Sequence, residues 1–176
     1  MTTKKIIALG LAMMMTAAAL TGCDKGGNSE NTDAVDIDKV DGIVLESDTA
    51  DEDAHIVIGD VEVSIGDAKV MEYGDGDVAI VEYTFKNNGS AEANFAGVVK
   101  AEGYQDEAHL TPTVIDNIDG VDMLAISQNI GKGHQISVHK AYRLKNKEDI
   151  LEIEVTEIAN GAVTPNAIIK YYSFPE

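Results

Sequence analysis

The sequence predicts an all-β protein, an antiparallel β-sandwich that follows a cleaved signal peptide and a disordered acidic tether. Two observations lead to the sandwich. From residue 55 onward, apolar residues recur with a period of two, the spacing of a strand that buries one face. Turn-forming Gly, Asn and Asp residues separate these runs, so that about seven short strands fit into the rest of the chain, as in a sandwich.

The alternation is regular in three runs, at residues 61–65, 79–85 and 151–155. Three further runs are less regular, at residues 94–104, 135–144 and 167–174. In the second of these, Lys140 has the parity of the apolar residues, which predicts a bulge or an edge position. Residues 114–126 fit either a loop or a short helix.

The first 23 residues have the pattern of an export signal. Lys4 and Lys5 precede an apolar stretch that is too short for a comfortable permanent span but has the length of a signal-peptide core. The stretch ends in Leu20-Thr21-Gly22-Cys23, which resembles the lipobox of bacterial lipoproteins. The resemblance implies cleavage before Cys23 and attachment of a diacylglyceryl group to its thiol. Two or more acyl chains would then anchor the mature chain stably, facing outward from the cell membrane.

The charge balance excludes one class of partner and favours another. The chain has 31 acidic and 13 basic residues, a formal net charge of −18. Nucleic acids are bound by clustered Lys and Arg, so we expect no nucleic-acid partner. Anionic lipid headgroups would be repelled as well, which leaves the acyl chains as the means of attachment. An acidic surface favours a basic protein or peptide at the cell surface.

Composition divides the chain into three parts, namely a signal peptide at 1–22, a linker at 23–54 that begins with the lipidated Cys23, and the sandwich at 55–176. Residues 24–54 contain eleven acidic residues, two basic residues and no aromatic residue. Such a segment buries too little apolar surface to offset its ordering entropy, so we expect a disordered tether. Within it, 43–45 is a short apolar patch that could dock on the sandwich.

Three segments of the sandwich resemble DUF5067, a family of lipoprotein domains from Firmicutes. They are the strand and Asn-rich turn at 81–90, the hairpin Tyr104-Gln105-Asp106-Glu107-Ala108-His109-Leu110, and residues 133–157 with Ala141-Tyr142-Arg143-Leu144. The resemblance implies an immunoglobulin-like sandwich. It implies no catalytic residues, because the family has none assigned.

Residues with catalytic or metal-binding chemistry form no recognisable motif. His134 and His139 are five residues apart and would leave opposite faces of a strand, which disfavours a metal pair. The mature chain has no Cys besides Cys23 and no Gly-x-Ser-x-Gly elbow, so we expect neither nucleophilic catalysis by those routes nor a cofactor. The candidates for weak cation binding are acidic loop residues: Asp75, Asp77, Asp116, Asp119 and Asp122.

We therefore expect a membrane-anchored, non-enzymatic binding module. Two alternatives remain open: a Ca²⁺-dependent binding domain that uses the acidic loops, and a cell-envelope hydrolase that uses paired carboxylates. Tyr171, Tyr172 and Phe174 form either a final strand that closes the sandwich or an exposed aromatic recognition edge.

Overall fold

The computed structural model describes residues 37–49, 54–159 and 162–175. The signal peptide, Cys23, its lipobox and most of the predicted tether lie outside these residues. The described part contains eleven strands: β1 (Ile43–Val44), β2 (Glu46–Ser47), β3 (His55–Ile58), β4 (Val61–Tyr73), β5 (Gly76–Asn87), β6 (Val99–Gln105), β7 (Ala108–His109), β8 (Pro112–Thr113), β9 (His134–Arg143), β10 (Leu151–Ala159) and β11 (Ala162–Ser173). It also contains a short helix, α1 (Phe95–Val98), and 3₁₀ turns at Ile37–Lys39 and Ala125–Ser127.

The strands form two antiparallel sheets that pack face to face, which confirms the predicted all-β sandwich. Sheet A has the order β1-β4-β5-β9-β8, with β3 also paired to β4. Sheet B has the order β2-β11-β10-β6-β7. The seven strands of four or more residues match the number of predicted strands, and the other four have two residues each.

The main core lies between the sheets and is built by the predicted alternation. On β5, Val81, Tyr83 and Phe85 are fully buried, and on β10, Leu151 and Ile153 face them from sheet B. Burial of a large apolar side chain contributes roughly 1.5–3 kcal/mol, so this layer supplies most of the driving force for folding.

A smaller apolar cluster covers the outer face of sheet A. Val78, Ile80 and Ala141 leave the sheet on that side and are buried beneath two irregular segments. One segment supplies Ile37 and Val40, and the other supplies Ile115. Residues 114–124, which sequence alone left between loop and helix, are therefore an irregular cover for the sheet.

The predicted domain start at residue 55 is too late. Ile37, Val40 and Leu45 are buried, β1 pairs with β4, and β2 pairs with β11. The acidic residues between these apolar side chains lower the average hydrophobicity of the segment, so composition alone does not indicate the few positions that are buried. Residues 37–49 are thus part of the sandwich, and the predicted patch at 43–45 contributes Leu45 to its core.

Two further expectations are corrected by the structure. Residues 95–98 of the predicted strand 94–104 are helical, because the Asn94 side chain accepts a hydrogen bond from the Gly97 amide at 2.8 Å and caps the turn. For Lys140 the predicted bulge is wrong and the edge position is confirmed: the register of β9 with β5 is continuous, whereas β8 pairs only with Ala141 and Tyr142, so among the described strands none pairs with the other side of residue 140. The register shifts lie elsewhere: β4 has an extra residue between Ile65 and Ala68 relative to β5, and β11 has two extra residues between Val163 and Ala167 relative to β10.

The bulge in β4 is fixed by side chains from sheet B. The Lys170 Nζ donates hydrogen bonds to the carbonyl oxygens of Ile65 and Gly66 at 3.1 and 2.9 Å. The Tyr172 hydroxyl donates to the same Gly66 carbonyl at 2.6 Å. The bulge carbonyls, which lose their place in the ladder, are in this way satisfied inside the core.

Candidate functional site

An acidic pocket of about 430 Å³ lies at one end of sheet B. It lies between the turn that joins β6 to β7, the loop that precedes β10, and the end of β11. Its lining combines five carboxylates with two phenol rings and one aliphatic side chain: Asp106, Glu107, Glu148, Asp149, Glu152, Tyr104, Tyr171 and Ile150. We call it the acidic pocket.

The floor of the acidic pocket is a row of three side chains on adjacent strands. Glu152 on β10 is paired with Tyr104 on β6 and with Tyr171 on β11, so a carboxylate lies between two tyrosines. Tyr171 and Ile150 are exposed, at 39% and 49% of their surface, whereas Tyr172 points into the core. Tyr172 and Phe174 pack in or against the core, as predicted for a final strand that closes the sandwich. Tyr171 has an exposed ring, and recognition by that ring stays a prediction.

The turn at the edge of the pocket holds two acidic residues in the left-handed region. Asp106 and Glu107 have φ angles of 47° and 59°, values that favour Gly or Asn in a two-residue hairpin turn. Their backbone geometry directs both side chains to the mouth of the pocket, at some cost in backbone strain.

Gln105 ties this turn to the loop before β10. Its buried side chain donates from Nε2 to the carbonyl oxygens of Asn146 and Asp149 at 3.2 and 3.0 Å. Its Oε1 accepts from the Lys145 amide at 2.8 Å. Both N–H donors and the carbonyl oxygen of one buried amide are therefore used to hold the two halves of the pocket together.

Asn146 orders the loop from within. Its Oδ1 accepts hydrogen bonds from the amides of Glu148 and Asp149 at 2.9 and 2.8 Å, and its Nδ2 donates to Asp149 Oδ2 at 2.7 Å. This arrangement fixes the backbone from which Glu148 and Asp149 reach the pocket.

The pocket carries negative charge without a matching cation. No ion pair joins its five carboxylates to a described Lys, Arg or His; the nearby Lys147 pairs instead with Asp77 at 2.7 Å. Partial burial and the charges of Glu102 and Glu154 raise the pKa of Tyr104, so its phenol stays neutral and can donate a hydrogen bond.

A second charge cluster lies beside the pocket on β6. Glu102 forms ion pairs with Lys100 at 2.7 Å and with His109 at 3.1 Å, and it accepts a hydrogen bond from the Tyr104 hydroxyl at 3.3 Å. Burial by itself would raise the pKa of Glu102, but the Lys100 and His109 partners outweigh it and lower that pKa. Glu102 is therefore a neutralised carboxylate, unlike those of the pocket.

The acidic residues proposed for cation binding are not brought together. Asp75 lies 3.6 Å from the Arg143 guanidinium and Asp77 pairs with Lys147, while Asp122 accepts a hydrogen bond from the Leu124 amide at 2.8 Å. Asp116 and Asp119 are exposed on the irregular segment that covers sheet A. Within the described ranges, no three His, Cys, Asp or Glu side chains are placed so that they could hold a metal ion.

The histidines are also separate. His134 is exposed at the start of β9, whereas His139 is completely buried on its outer face, and neither ring nitrogen of His139 has a hydrogen-bond partner. His55 contacts Ser64, with 3.1 Å between Nδ1 and Oγ.

The comparisons with known proteins identify the family. The sequence profile of the domain of unknown function DUF5067 matches residues 45–157, about two thirds of the chain. The chain belongs to the DUF5067 family. None of the curated proteins matches it in sequence.

Two solved structures share the fold of this DUF5067 domain. One, from Staphylococcus aureus, is described as a candidate lipoprotein; it is 11% identical with a TM-score of 0.54, over 74% of this chain and 93% of that one. The other, the candidate lipoprotein YcdA of Bacillus subtilis, is 14% identical with a TM-score of 0.52, over 69% of this chain. The match spans only 38% of YcdA.

The sequence identified part of the site and missed the rest. The hairpin that carries Gln105, Asp106 and Glu107 was singled out only through its family resemblance, and Tyr171 as a candidate recognition residue. Glu148 and Asp149 were not singled out, although they directly follow a turn signal at 145–147. Cys23 and its lipobox lie outside the described residues, among which no helix is long and apolar enough to cross a membrane.

Proposed function

We propose that this DUF5067 protein is a lipoprotein, held at the outer face of the cell membrane by acyl chains on Cys23, and that its sandwich binds a cationic segment of a protein or peptide in the acidic pocket. The attachment is supported by the lipobox and by the descriptions of the two structural neighbours. The binding proposal depends on one observation: five carboxylates, none of them ion-paired with a Lys, Arg or His of the described ranges, line a preformed cavity that also has tyrosine walls.

The chemistry of the lining favours a Lys or Arg side chain. An ammonium or guanidinium group would pair with Glu152, and the flanking rings of Tyr104 and Tyr171 would contact its aliphatic stem and its charge. The turn and the loop are already held by Gln105 and Asn146, so little ordering entropy remains to be lost on binding.

A binding role fits the pocket better than hydrolysis by paired carboxylates. Carboxylate-based hydrolysis relies on one acid whose pKa is raised in a desolvated setting. In this pocket Asp106, Glu107 and Glu148 are exposed, and Asp149 and Glu152 are only partly buried. We therefore propose that the sandwich is a non-enzymatic binding module.

A titration with a lysine-rich peptide tests the binding site. We expect Glu148→Gln with Glu152→Gln to weaken binding roughly five-fold for each charge removed, and binding by the unaltered chain to weaken with added salt. Asp75→Asn is the matched control, because Asp75 is fully exposed and outside the pocket. Equal losses in the control and the pocket variants would mean that only net charge attracts the peptide, and the site would be rejected.

The membrane attachment is tested separately. The intact chain should partition into detergent with the added mass of acyl groups, whereas Cys23→Ser should not. Thr21→Ser leaves Gly22 directly before the cysteine and should behave like the unaltered chain. Recovery of an unmodified Cys23 thiol with the leader still attached would contradict the proposal.

A further inference from the structure

A second cavity lies on sheet A and differs in character from the acidic pocket. Its volume is about 300 Å³, and it forms where the chain from β8 to the second 3₁₀ turn crosses β9. Its lining is mainly apolar and includes Pro112, Met123 and Ile126. Val114 and Leu124 line it while 69% and 83% exposed, so large apolar side chains remain in water beside an open cavity.

One cation, Lys140, lines this apolar cavity. Its Nζ donates a hydrogen bond to the Ala101 carbonyl and lies 5.6 Å from the centre of the Tyr142 ring. No described carboxylate forms an ion pair with it. Glu102 is close enough to influence Lys140, but its oxygens are engaged by Lys100 and His109.

Lys140 also lines a neighbouring cavity of about 230 Å³ on the inner side of the sheet edge. The two cavities share Lys140 and Ile126. The second is bounded by Phe95 and Ile158 and also by Lys100, which is already ion-paired with Glu102. Lys140 therefore lies between two mostly apolar cavities.

We propose that this paired cavity binds an aliphatic carboxylate, with the hydrocarbon chain against Ile126, Met123 and Leu124 and the carboxylate on the ammonium of Lys140. In a chain with a net charge of −18, Lys140 is a cation in an apolar wall that forms no ion pair with a described carboxylate, and it is complementary to an anionic group. A single carboxylate costs less to desolvate than a doubly charged phosphate, and the apolar lining accommodates a hydrocarbon chain.

The burial of Lys140 supports the choice of an anionic ligand. The side chain of Lys140 is partly removed from water, and this desolvation lowers its pKa. A carboxylate that enters the cavity would replace part of the missing solvation. This gain would be absent for an alcohol of the same chain length and reversed for an amine.

Calorimetric titration of the full chain with decanoate, decanol and decylamine tests the proposal, with Cys23→Ser introduced so that no detergent is needed. We expect decanoate to bind at least ten-fold more tightly than decanol, and decylamine to bind least. Lys140→Met should weaken decanoate at least ten-fold and leave decanol unchanged. Lys132→Met is the control, because Lys132 is exposed and lines neither cavity.

Two results would overturn the proposal: decanoate binding no tighter than decanol binding, or equal decanoate affinity in Lys140→Met and the unaltered chain. If Lys140→Met does not fold, the order of the affinities of the three ligands for the unaltered chain still tests the proposal. The methyl resonance of Met123 should shift with decanoate and stay fixed with a lysine-rich peptide, which separates this site from the acidic pocket.

Discussion

The hydroxyl oxygens of Tyr83 and Tyr142 lie 2.9 Å apart in the centre of the core, where both side chains are completely buried. One hydroxyl donates to the other, so each phenol satisfies its partner. Tyr83→Phe leaves the Tyr142 hydroxyl unpartnered, and we expect a loss of about 1–2 kcal/mol in the free energy of unfolding. The double variant with Tyr142→Phe should lose less than the sum of the single variants in urea denaturation; strict additivity would contradict the pairing.

The same pair predicts a loss of stability at alkaline pH. Burial raises the pKa of Tyr83 and of Tyr142 above the ordinary value of 10. Their hydroxyls therefore contribute full stability below pH 10, and this contribution falls as the pH rises, because the unfolded tyrosines lose protons first. Urea midpoints at pH 8 and pH 11 should differ less in the double Phe variant than in the unaltered chain. An identical alkaline loss would assign the effect to other groups.

His139 predicts sensitivity to acid. Burial lowers its pKa from 6.5 to about 4, against the opposing charge of Asp122. The fold accommodates the neutral imidazole but not the charged one. The contribution of His139 to the free energy of unfolding is therefore complete above pH 6.5, and up to about 3 kcal/mol is lost as the pH falls toward 4. His139→Leu also removes two unpartnered ring nitrogens, so it should be at least as stable at pH 7 and lose less on acidification.

The exposed His134 provides the comparison for that measurement. His134→Gln should follow the unaltered chain across the same pH range, since His134 is in contact with water. If His139→Leu and His134→Gln show the same pH dependence in urea denaturation, His139 is not the acid-sensitive group.

Gly103 lies against the ring of Tyr142 with no room for a side chain. A Cβ atom at residue 103 would lie 3.0 Å from Cδ1 and 3.1 Å from Cγ of Tyr142. We expect Gly103→Ala to destabilise the fold by about 1–3 kcal/mol in urea denaturation, because the core has to shift to accept it. Gly131→Ala is the control, since its nearest neighbour would be His134 at 3.9 Å; equal effects of the two variants would refute the packing argument.

Gln105 connects the stability of the domain to the acidic pocket. Gln105→Met keeps the size of the side chain but removes its hydrogen bonds to residues 145, 146 and 149. We expect a loss of about 2 kcal/mol in the free energy of unfolding and weaker binding of a lysine-rich peptide, as the loop loses its order. Amide exchange of Lys145 and Asp149 should accelerate in this variant; unchanged exchange would show that Asn146 alone orders the loop.

The layers of the sandwich could be predicted from the amino-acid pattern, because a strand that buries one face has an apolar residue at every second position, as in parts of β4, β5 and β10. It also identified the hairpin at 104–110 through the family resemblance. The alternation of apolar and polar residues predicts the strands because the inner face of each strand contacts the same apolar core along its length.

Features that depend on partners far apart in the sequence are evident only in the folded chain. Leu45 is buried because β1 and β2 pair with strands far along the chain, and the acidic residues around it conceal this. Lys140 faces inward without a bulge because the carbonyl of Ala101 receives its ammonium. The acidic pocket combines the turn at 106–107, the loop at 145–150 and Tyr171. Local periodicity does not indicate that these three segments are close in space, because their proximity depends on the register and packing of whole strands.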